Sequence, residues 1–263
     1  MIAWARCCFL LLAIMSTPAL ADEIVVLAAG SLRAPLTELA QAYRAAHGVE
    51  VRLVFGASGL LRDRIVGGER ADVFASANME HPQSLAARQW SDTAERFARN
   101  RMCLLAAPNV AVQPQTVLDV MLDPSIKLGT STPKADPSGD YAFEVFRRAE
   151  ERREGANQTL QRKALQLTGG PQSPPPPKDK TAYAALVKDG AADVFLTYCT
   201  NAKLATSEEP SLRFVSLPED LDVAADYGLS VRRGAPAPAR AFADFILSPQ
   251  GQQTLGRYGF ATS

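Results

Sequence analysis

The chain has little of several residue types, and each shortage narrows what it can be. Its 263 residues include two histidines and four cysteines. No His-Glu-x-x-His, Cys-x-x-Cys or phosphate-loop motif occurs, so no metal or nucleotide site is recognisable. Basic and acidic residues balance at 28 each, which leaves no net charge to attract nucleic acid or a membrane surface. We therefore expect a protein with no cofactor and no nucleic acid partner.

The sequence also lacks an apolar run of the roughly 20 residues that span a bilayer. A shorter run over residues 7–15 follows a basic residue, and an Ala-x-Ala cleavage site ends at Ala21. Two of the cysteines lie upstream of this site, so neither is placed to become a lipidated first residue. The sequence predicts a signal peptide over residues 1–21 and a periplasmic protein.

Removal of that signal leaves two cysteines, Cys103 and Cys199. An oxidising compartment would allow one disulfide between them. Two separately buried thiols are the alternative, because spacing alone does not show that the Cα atoms approach within about 7 Å. The sequence leaves both possibilities open.

Strand and helix patterns alternate in the first part of the mature chain. The predicted elements are strands over 23–27, 50–55 and 72–75 and helices over 32–47 and 60–66. This order predicts an α/β fold with a parallel sheet that helices cover on both faces. Ser31 is expected to be the N-cap of the first helix.

Ser31 and Ser58 each follow a strand pattern and precede a helix pattern, in Leu-Ala-Ala-Gly-Ser31-Leu and Val-Phe-Gly-Ala-Ser58-Gly. The carboxyl ends of parallel strands meet at one edge of a sheet, where α/β folds bind ligands. Helix starts at that edge present unpaired backbone N–H groups, which bind anions. The sequence therefore predicts an anion site with both serines beside it.

A short pattern occurs twice, as Gly-x-x-Ala-Asp-Val-Phe over 68–74 and Gly-Ala-Ala-Asp-Val-Phe over 190–195. Each copy follows a short helix pattern, which predicts two similarly built lobes on either side of a cleft. The other predicted elements are strands over 102–106, 126–129, 194–198 and 226–231, helices over 138–152, 237–247 and 251–258 and from about Thr181, and a loop over 165–180.

Five motifs stand out in the mature chain: Ala-Ala-Gly-Ser31-Leu, Phe-Gly-Ala-Ser58-Gly, Ala-Asp-Val-Phe-Ala-Ser-Ala, Ser248-Pro-Gln-Gly-Gln and Arg257-Tyr-Gly-Phe260. They resemble motifs of the periplasmic molybdate-binding proteins of ABC importers. The resemblance implies a type II periplasmic-binding-protein fold of two α/β lobes, each with a mainly parallel sheet. It places the first lobe at 22–100 and 224–263 and the second at 101–223. It further implies a non-enzymatic monomer that closes on molybdate or tungstate and delivers it to a membrane ABC permease.

The same resemblance implies a set of ligand-binding residues. They are Ser31, Ser58, Ser138, Lys180 or its neighbour Thr181, and Tyr198. Hydroxyls and helix-start N–H groups would meet the oxygens of a dehydrated dianion, so the metal would enter only within the oxyanion and not as a free cation. A site made only of donors would reject hydrogen phosphate, whose O–H would find no acceptor, and would accept molybdate or sulfate.

Two positions depart from the family pattern, because Lys180 replaces an apolar residue and Cys199 a small one. A Lys180 ammonium in the cleft would favour a different anion, such as an organic acid, sulfate or a metal chelate. A ligand-sensing module of the same fold is another alternative. A serine hydrolase is disfavoured, since neither His47 nor His81 has a triad-like spacing and no Gly-x-Ser-x-Gly motif occurs.

Overall fold

The structure is a computed structural model that describes residues 23–175 and 181–262. Its strands are β1 (Glu23–Ala29), β2 (Glu50–Gly56), β3 (Val73–Ser76), β4 (Glu95–Ala106), β5 (Leu128–Ser131), β6 (Leu165–Thr168), β7 (Val194–Tyr198), β8 (Arg213–Ser216), β9 (Ala224–Val231) and β10 (Ala261–Thr262). Its helices are α1 (Arg33–His47), α2 (Ser58–Val66), α3 (Glu80–Ala87), α4 (Val117–Leu122), α5 (Pro137–Arg152), α6 (Ala156–Lys163), α7 (Ala182–Lys188), α8 (Cys199–Glu208), α9 (Ala237–Leu247) and α10 (Pro249–Arg257). The predicted signal peptide and Lys180 lie outside the described residues.

The strands form one mixed sheet in the order β2-β1-β3-β9-β4-β7-β5-β6, and β8 and β10 also pair with β4. β1 lies parallel to β2 and β3, and β5 lies parallel to β6 and β7. β9 runs antiparallel to β3 and β4, and β4 runs antiparallel to β7 and β8. We call the half with β1, β2 and β3 the first lobe and the half with β5, β6 and β7 the second. The α/β architecture is as predicted, but the pairing is mixed, because β9 runs opposite to the parallel set of the first lobe and β4 runs opposite to that of the second.

Helices cover both faces of the first lobe's sheet, as the continuous apolar character of β1 predicts. Val26 belongs to the same buried cluster as Leu36 and Leu39 of α1, whereas Leu27 belongs to a second cluster with Leu61 of α2. Successive residues of a strand point to opposite faces, so an uninterrupted apolar strand needs a cover on each side. Every described helix is too short or too polar to span a bilayer.

The repeated Ala-Asp-Val-Phe pattern has the same structural role in each lobe. The buried Asp72 precedes β3 and accepts a hydrogen bond from the backbone N–H of Val25 at 3.0 Å, while its own N–H donates to the Val25 carbonyl. Asp193 precedes β7 and exchanges the equivalent pair of bonds with Lys127, just before β5. In each lobe the aspartate thus joins two parallel strands at their starts.

The two cysteines form a disulfide, which decides the question that the sequence left open. Cys103 on β4 and Cys199 at the start of α8 have Cα atoms 4.8 Å apart. The pairing of β4 with β7 brings them together, because it places Met102 opposite Tyr198. The bond ties the central strand to the helix that leaves the neighbouring strand.

The prediction that Ser31 caps α1 is wrong. A 3₁₀ turn over Gly30–Leu32 precedes the helix, and Leu32 occupies the N-cap position without a side-chain hydrogen bond. β1 continues to Ala29, two residues beyond its predicted end. The serine is therefore held in the turn, and its hydroxyl is available to other partners.

The prediction of a loop over 165–180 is wrong for its first part, because Leu165–Thr168 forms β6. This strand lies at the edge of the sheet and its side chains are exposed or half-buried. Its sequence, Leu-Gln-Leu-Thr, does alternate apolar and polar residues, but a run of four residues is too short for this period to separate a strand from a loop. The strand over 194–198 and the helix over 237–247 have their predicted bounds, whereas the three lobe ranges stay a prediction.

Loss of the disulfide should destabilise the protein. Replacing Cys103 and Cys199 together by serine should lower the free energy of unfolding by about 2–5 kcal/mol, because the crosslink closes a long loop in the unfolded chain. Urea denaturation would measure this. Reductant should weaken the wild type and leave the double variant unchanged; a wild type insensitive to reductant would contradict the prediction.

Candidate functional site

A cleft of about 760 Å³ opens at the carboxyl ends of β1 and β2 and faces the second lobe. From the first lobe it is lined by Ala29, Gly30, Ser31, Arg33, Phe55, Gly56, Ala57 and Leu60, among others. From the second lobe it is lined by Asp136, Thr168, Gly169, Gly170, Pro174, Pro175, Thr181, Tyr183 and Tyr198, among others. Three of the predicted ligand-binding residues, Ser31, Thr181 and Tyr198, therefore lie on its wall.

Ser31 is held by a buried tyrosine of β9. Its Oγ lies 2.9 Å from Oη of Tyr227, which also accepts a hydrogen bond from Nδ2 of Asn100 at 3.3 Å. Burial raises the pKa of Tyr227 above its ordinary value, so the phenol keeps its hydrogen. Tyr227 can then donate to Ser31, which leaves the serine hydrogen for a ligand in the cleft.

Ser58 is the first residue of α2 and is buried directly behind Ala57 of the cleft wall. Its Oγ accepts a hydrogen bond from the N–H of Ala77 at 3.1 Å. No acceptor among the described residues takes the serine's own hydrogen. Ser58 therefore retains a donor beside the cleft.

Tyr198 ends β7 and is buried between the lobes. Its Oη donates a long hydrogen bond of 3.5 Å to the carbonyl of Ala77, and its ring centre lies 5.6 Å from that of Tyr227. Burial holds the pKa of Tyr198 well above its usual value. The phenol therefore keeps its hydrogen and stays a neutral donor. The Ala77 backbone connects the two predicted residues, because its carbonyl accepts from Tyr198 and its N–H donates to Ser58.

The backbones of the two lobes are in contact next to Ser58. The N–H of Gly59 donates to the carbonyl of Ala135 at 2.9 Å, and a Cβ at Gly59 would lie 2.4 Å from the carbonyl oxygen of Lys134. Only glycine permits so close an approach of two backbones. One of the N–H groups at the start of α2 is therefore already used across the lobe contact.

Ser138 is the second residue of α5. It follows Pro137, a residue type that is well suited to the first position of a helix. Its backbone N–H is already engaged, because Oδ1 of Asp136 accepts it at 3.1 Å as the N-cap of α5. Its Oγ is buried and makes no hydrogen bond of ordinary geometry among the residues the structure describes, although it lies close enough to the Tyr183 hydroxyl to lower the pKa of that tyrosine. The hydroxyl, rather than the N–H, is the unused donor at this position.

Thr181 is the N-cap of α7, as its position before that helix predicts. Both its N–H and its hydroxyl donate to Oε2 of Glu208, at 2.8 and 2.9 Å. The backbone donor that the resemblance assigns to this position is therefore occupied by a carboxylate of α8.

Sequence reasoning did not single out three other residues of the cleft wall: Arg33, Asp136 and Tyr183. The exposed Arg33 begins α1, and its guanidinium carbon lies 4.6 Å from the centre of the Phe55 ring. No carboxylate pairs with it within the part of the chain that the structure describes. In the sequence, Arg33 could have been recognised by its position two residues after Ser31. Asp136 could have been recognised as an aspartate directly before the Pro-Ser-Gly turn.

Of these three residues, Asp136 changes the chemistry of the cleft, because it adds a carboxylate to the wall. Desolvation raises the pKa of its carboxyl group to about 6, although the hydrogen bond from the Ser138 N–H acts in the opposite direction. Oδ2 lies against Gly169, where a Cβ would be only 2.4 Å away. The absence of a side chain at Gly169 therefore makes room for the carboxylate at the wall of the cleft.

Tyr183 stands beside Asp136 in the first turn of α7. Burial and then the Asp136 charge raise the pKa of Tyr183 to about 12. Its ring packs edge-on against Phe195 of β7, with ring centres 5.1 Å apart. The wall of the second lobe thus combines neutral hydroxyl donors with two carboxylates, Asp136 and Glu208, of which Glu208 already accepts both donors of Thr181.

Comparison with known proteins identifies relatives over nearly the whole chain. The family described as bacterial extracellular solute-binding protein matches residues 24–261. An uncharacterized protein of Pasteurella multocida (strain Pm70) is 37% identical over 237 residues, which are 89% of this chain and 97% of that protein. The molybdate-binding protein ModA of Escherichia coli (strain K12) is 29% identical over 251 residues, 92% of this chain and 91% of that protein.

Among solved structures, the sulfate-binding protein SubI of Mycobacterium tuberculosis H37Rv is similar in fold. The two superpose with a TM-score of 0.75 at 18% sequence identity, over 92% of this chain and 87% of that one. The two-lobed α/β fold is thereby confirmed.

The stability cost of the Asp136 charge should depend on pH. With a pKa of about 6 when folded and 3.8 as the ordinary value, the native state binds more protons between these limits. Stability should therefore fall as pH rises through this window and stay lower above it. Asp136→Asn keeps a good N-cap without the charge.

We expect the Asp136→Asn variant to melt at a higher temperature than the wild type above about pH 7, and not near pH 4. Thermal melts of the ligand-free protein across this range would measure the difference. Asp189→Asn, which changes an exposed carboxylate outside the cleft, is the control. A difference that is constant with pH would contradict the assignment.

Proposed function

The chain belongs to the bacterial extracellular solute-binding proteins, and we propose that it captures a small oxyanion in the cleft between its lobes. It is a solute-binding protein of the ABC importer type and not an enzyme, so the serine hydrolase alternative is wrong. The proposal includes export to the periplasm after removal of residues 1–21, and delivery of the ligand to a membrane permease by a monomeric protein.

The observation that carries this proposal is the presence of buried hydroxyl donors without acceptors. Ser58 has an unused hydrogen, and Ser138 Oγ has no partner within the described residues. Leaving such groups unpaired costs about 1–3 kcal/mol each. An anion bound between the lobes would supply the missing acceptors. Ser31 would add a donor from the cleft wall, and Tyr198 would add one by giving up its long 3.5 Å hydrogen bond to the Ala77 carbonyl.

Molybdate and tungstate are the ligands that the sequence resemblance predicts, and the name of the Escherichia coli relative supports them. The SubI structure carries the name of a sulfate-binding protein, so one fold serves more than one oxyanion. Hydroxyl donors fixed by Tyr227 and Ala77 suit any tetrahedral oxyanion, since they need no rearrangement on binding.

A larger anion with a carbon skeleton is a second candidate, favoured by Arg33. Its guanidinium lies on Phe55 at the cleft wall, with no carboxylate partner among the described residues. A cation on an aromatic face is suited to an anionic group next to an apolar one. The cleft of about 760 Å³ has room for both parts of such a ligand.

Replacing both Ser31 and Ser58 by alanine should weaken oxyanion binding at least about 100-fold, because hydrogen bonds to a charged group contribute roughly 1.5–3 kcal/mol each. Isothermal titration against molybdate, tungstate, sulfate and phosphate would measure this, and a thermal melt would verify folding. Ser207→Ala, on the exposed surface of α8, is the matched control. An unchanged affinity would refute the site.

Arg33→Gln should weaken anion binding about 2- to 10-fold and reduce its salt dependence, because an exposed cation acts mainly by steering and by screened attraction. Arg44→Gln changes the same residue type on the last turn of α1, where Arg44 pairs with Glu50 outside the cleft. Titrations at two salt concentrations would test both variants. Equal effects of the two would indicate a general charge effect rather than a cleft residue.

A further inference from the structure

We infer that Asp136 makes the cleft select an oxyanion that carries its own O–H group, of the hydrogen phosphate class, over oxyanions without hydrogen such as molybdate and sulfate. This inference rests on the proposed function, whose site it refines. It also corrects the expectation of a site made only of donors, because the wall of the cleft contains an acceptor.

The carboxylate lies within the predicted site. Asp136 lines the same cleft as Ser31 and Tyr198, and it sits two residues before Ser138 at the start of α5. Its charge acts on hydroxyls of both lobes: after burial, it is among the causes that raise the pKa values of Tyr198 and Tyr227. Tyr227 in turn contacts Ser31 directly. Two of the predicted donors, Ser31 and Tyr198, therefore share one cleft wall with this acceptor.

The structure keeps this acceptor available. One oxygen, Oδ1, accepts the Ser138 N–H, and the other lies in the space left by Gly169. The Ser131 hydroxyl is also close enough to hydrogen-bond to the carboxylate and lower its pKa. Because a carboxylate offers about four acceptor positions, these two donors leave acceptor capacity for a ligand. No lysine or arginine forms an ion pair with Asp136 in the described part of the chain. The nearby Asp140 acts in the same direction as burial, against the charged form. Within the described residues, no cationic side chain therefore neutralises the Asp136 carboxylate before a ligand binds.

The chemistry of the ligand decides what this carboxylate does. Molybdate or sulfate would place an oxygen lone pair against a carboxylate lone pair, with no hydrogen between them and two like charges in contact. Hydrogen phosphate brings an O–H that donates to the carboxylate, while its other oxygens accept from the serine and tyrosine hydroxyls. The same acceptor would serve a hydroxyl group on the carbon skeleton of a phosphate ester.

The test is a titration of the purified, ligand-free protein at about pH 8, where a group with a pKa of about 6 is ionised. Four probes are compared: inorganic phosphate, glycerol 3-phosphate, molybdate and sulfate. We expect phosphate or glycerol 3-phosphate to bind roughly 10- to 100-fold more tightly than molybdate and sulfate, from one hydrogen bond to a charged group. Which of the two binds more tightly distinguishes a free phosphate ligand from an ester.

The decisive variant is Asp136→Asn, which retains the cap on α5 but can turn an N–H₂ donor toward the ligand. Its preference should shift toward molybdate and sulfate by at least about tenfold. Asp136→Ser, also a good N-cap, should lose the preference for phosphate if the amide variant folds poorly. Asp189→Asn, which changes an exposed carboxylate outside the cleft wall, should bind like the wild type.

The outcomes separate the two claims. Tighter binding of molybdate than of either phosphate compound, or a preference that Asp136→Asn leaves unchanged, would overturn this inference while the oxyanion receptor stands. A folded wild type that binds none of the four probes would overturn the proposed function and this inference with it.

Discussion

The arrangement of the site depends on the change of partner along β4. The first part of this strand pairs with β9, with Ala98 opposite Tyr227, and the last part pairs with β7, with Met102 opposite Tyr198. One continuous strand thus brings together two tyrosines from distant parts of the chain and places them at the junction of the lobes. The disulfide follows from the same pairing, since each of its cysteines is adjacent in sequence to one residue of the second pair.

Two kinds of hydrogen-bond donor lie around this junction. Backbone N–H groups at helix starts are largely satisfied from within the protein: Asp136 takes that of Ser138, Glu208 takes that of Thr181 and Ala135 takes that of Gly59. The hydroxyl donors of Ser58 and Ser138 stay unused. Other buried hydroxyls, such as those of Ser91, Thr130 and Ser230, also have no partner among the described residues. Ser58 and Ser138 differ from these in their position at helix starts beside the cleft, which makes their hydroxyls the candidate donors there.

Internal carboxylates therefore have a part in recognition here as well as in capping. An aspartate at an N-cap satisfies a helix and benefits from its dipole, and at an exposed site it would have no further consequence. At the wall of an anion cleft the same side chain adds an acceptor and a negative charge. If Asp136 acts as we propose, the identity of the bound oxyanion depends on whether the ligand can donate a hydrogen, which is a stricter criterion than size.

Much of the fold could be read from the sequence, because its signals are local. The apolar strand over 194–198 and the periodic helix over 237–247 appear with their predicted bounds, since a buried strand and an amphipathic helix each have a characteristic spacing. β4 begins seven residues before its predicted start, at Glu95 rather than at position 102. Its first part lacks a regular alternation, because two exposed residues are followed by two buried ones and the register shifts between Arg96 and Ala98, so only pairing with β9 defines it as strand.

The sequence by itself determined the α/β order, the strand ends that carry Ser31 and Ser58 and the terminal tyrosine of β7, because short-range periodicity and turn chemistry encode them. Only the tertiary structure decided that Cys103 meets Cys199, that Tyr227 holds Ser31 across 196 positions of chain, and that Asp136 lies on the wall of the same cleft. These are contacts between segments far apart in sequence. Their geometry follows from strand register and lobe packing, which no local pattern of residues specifies.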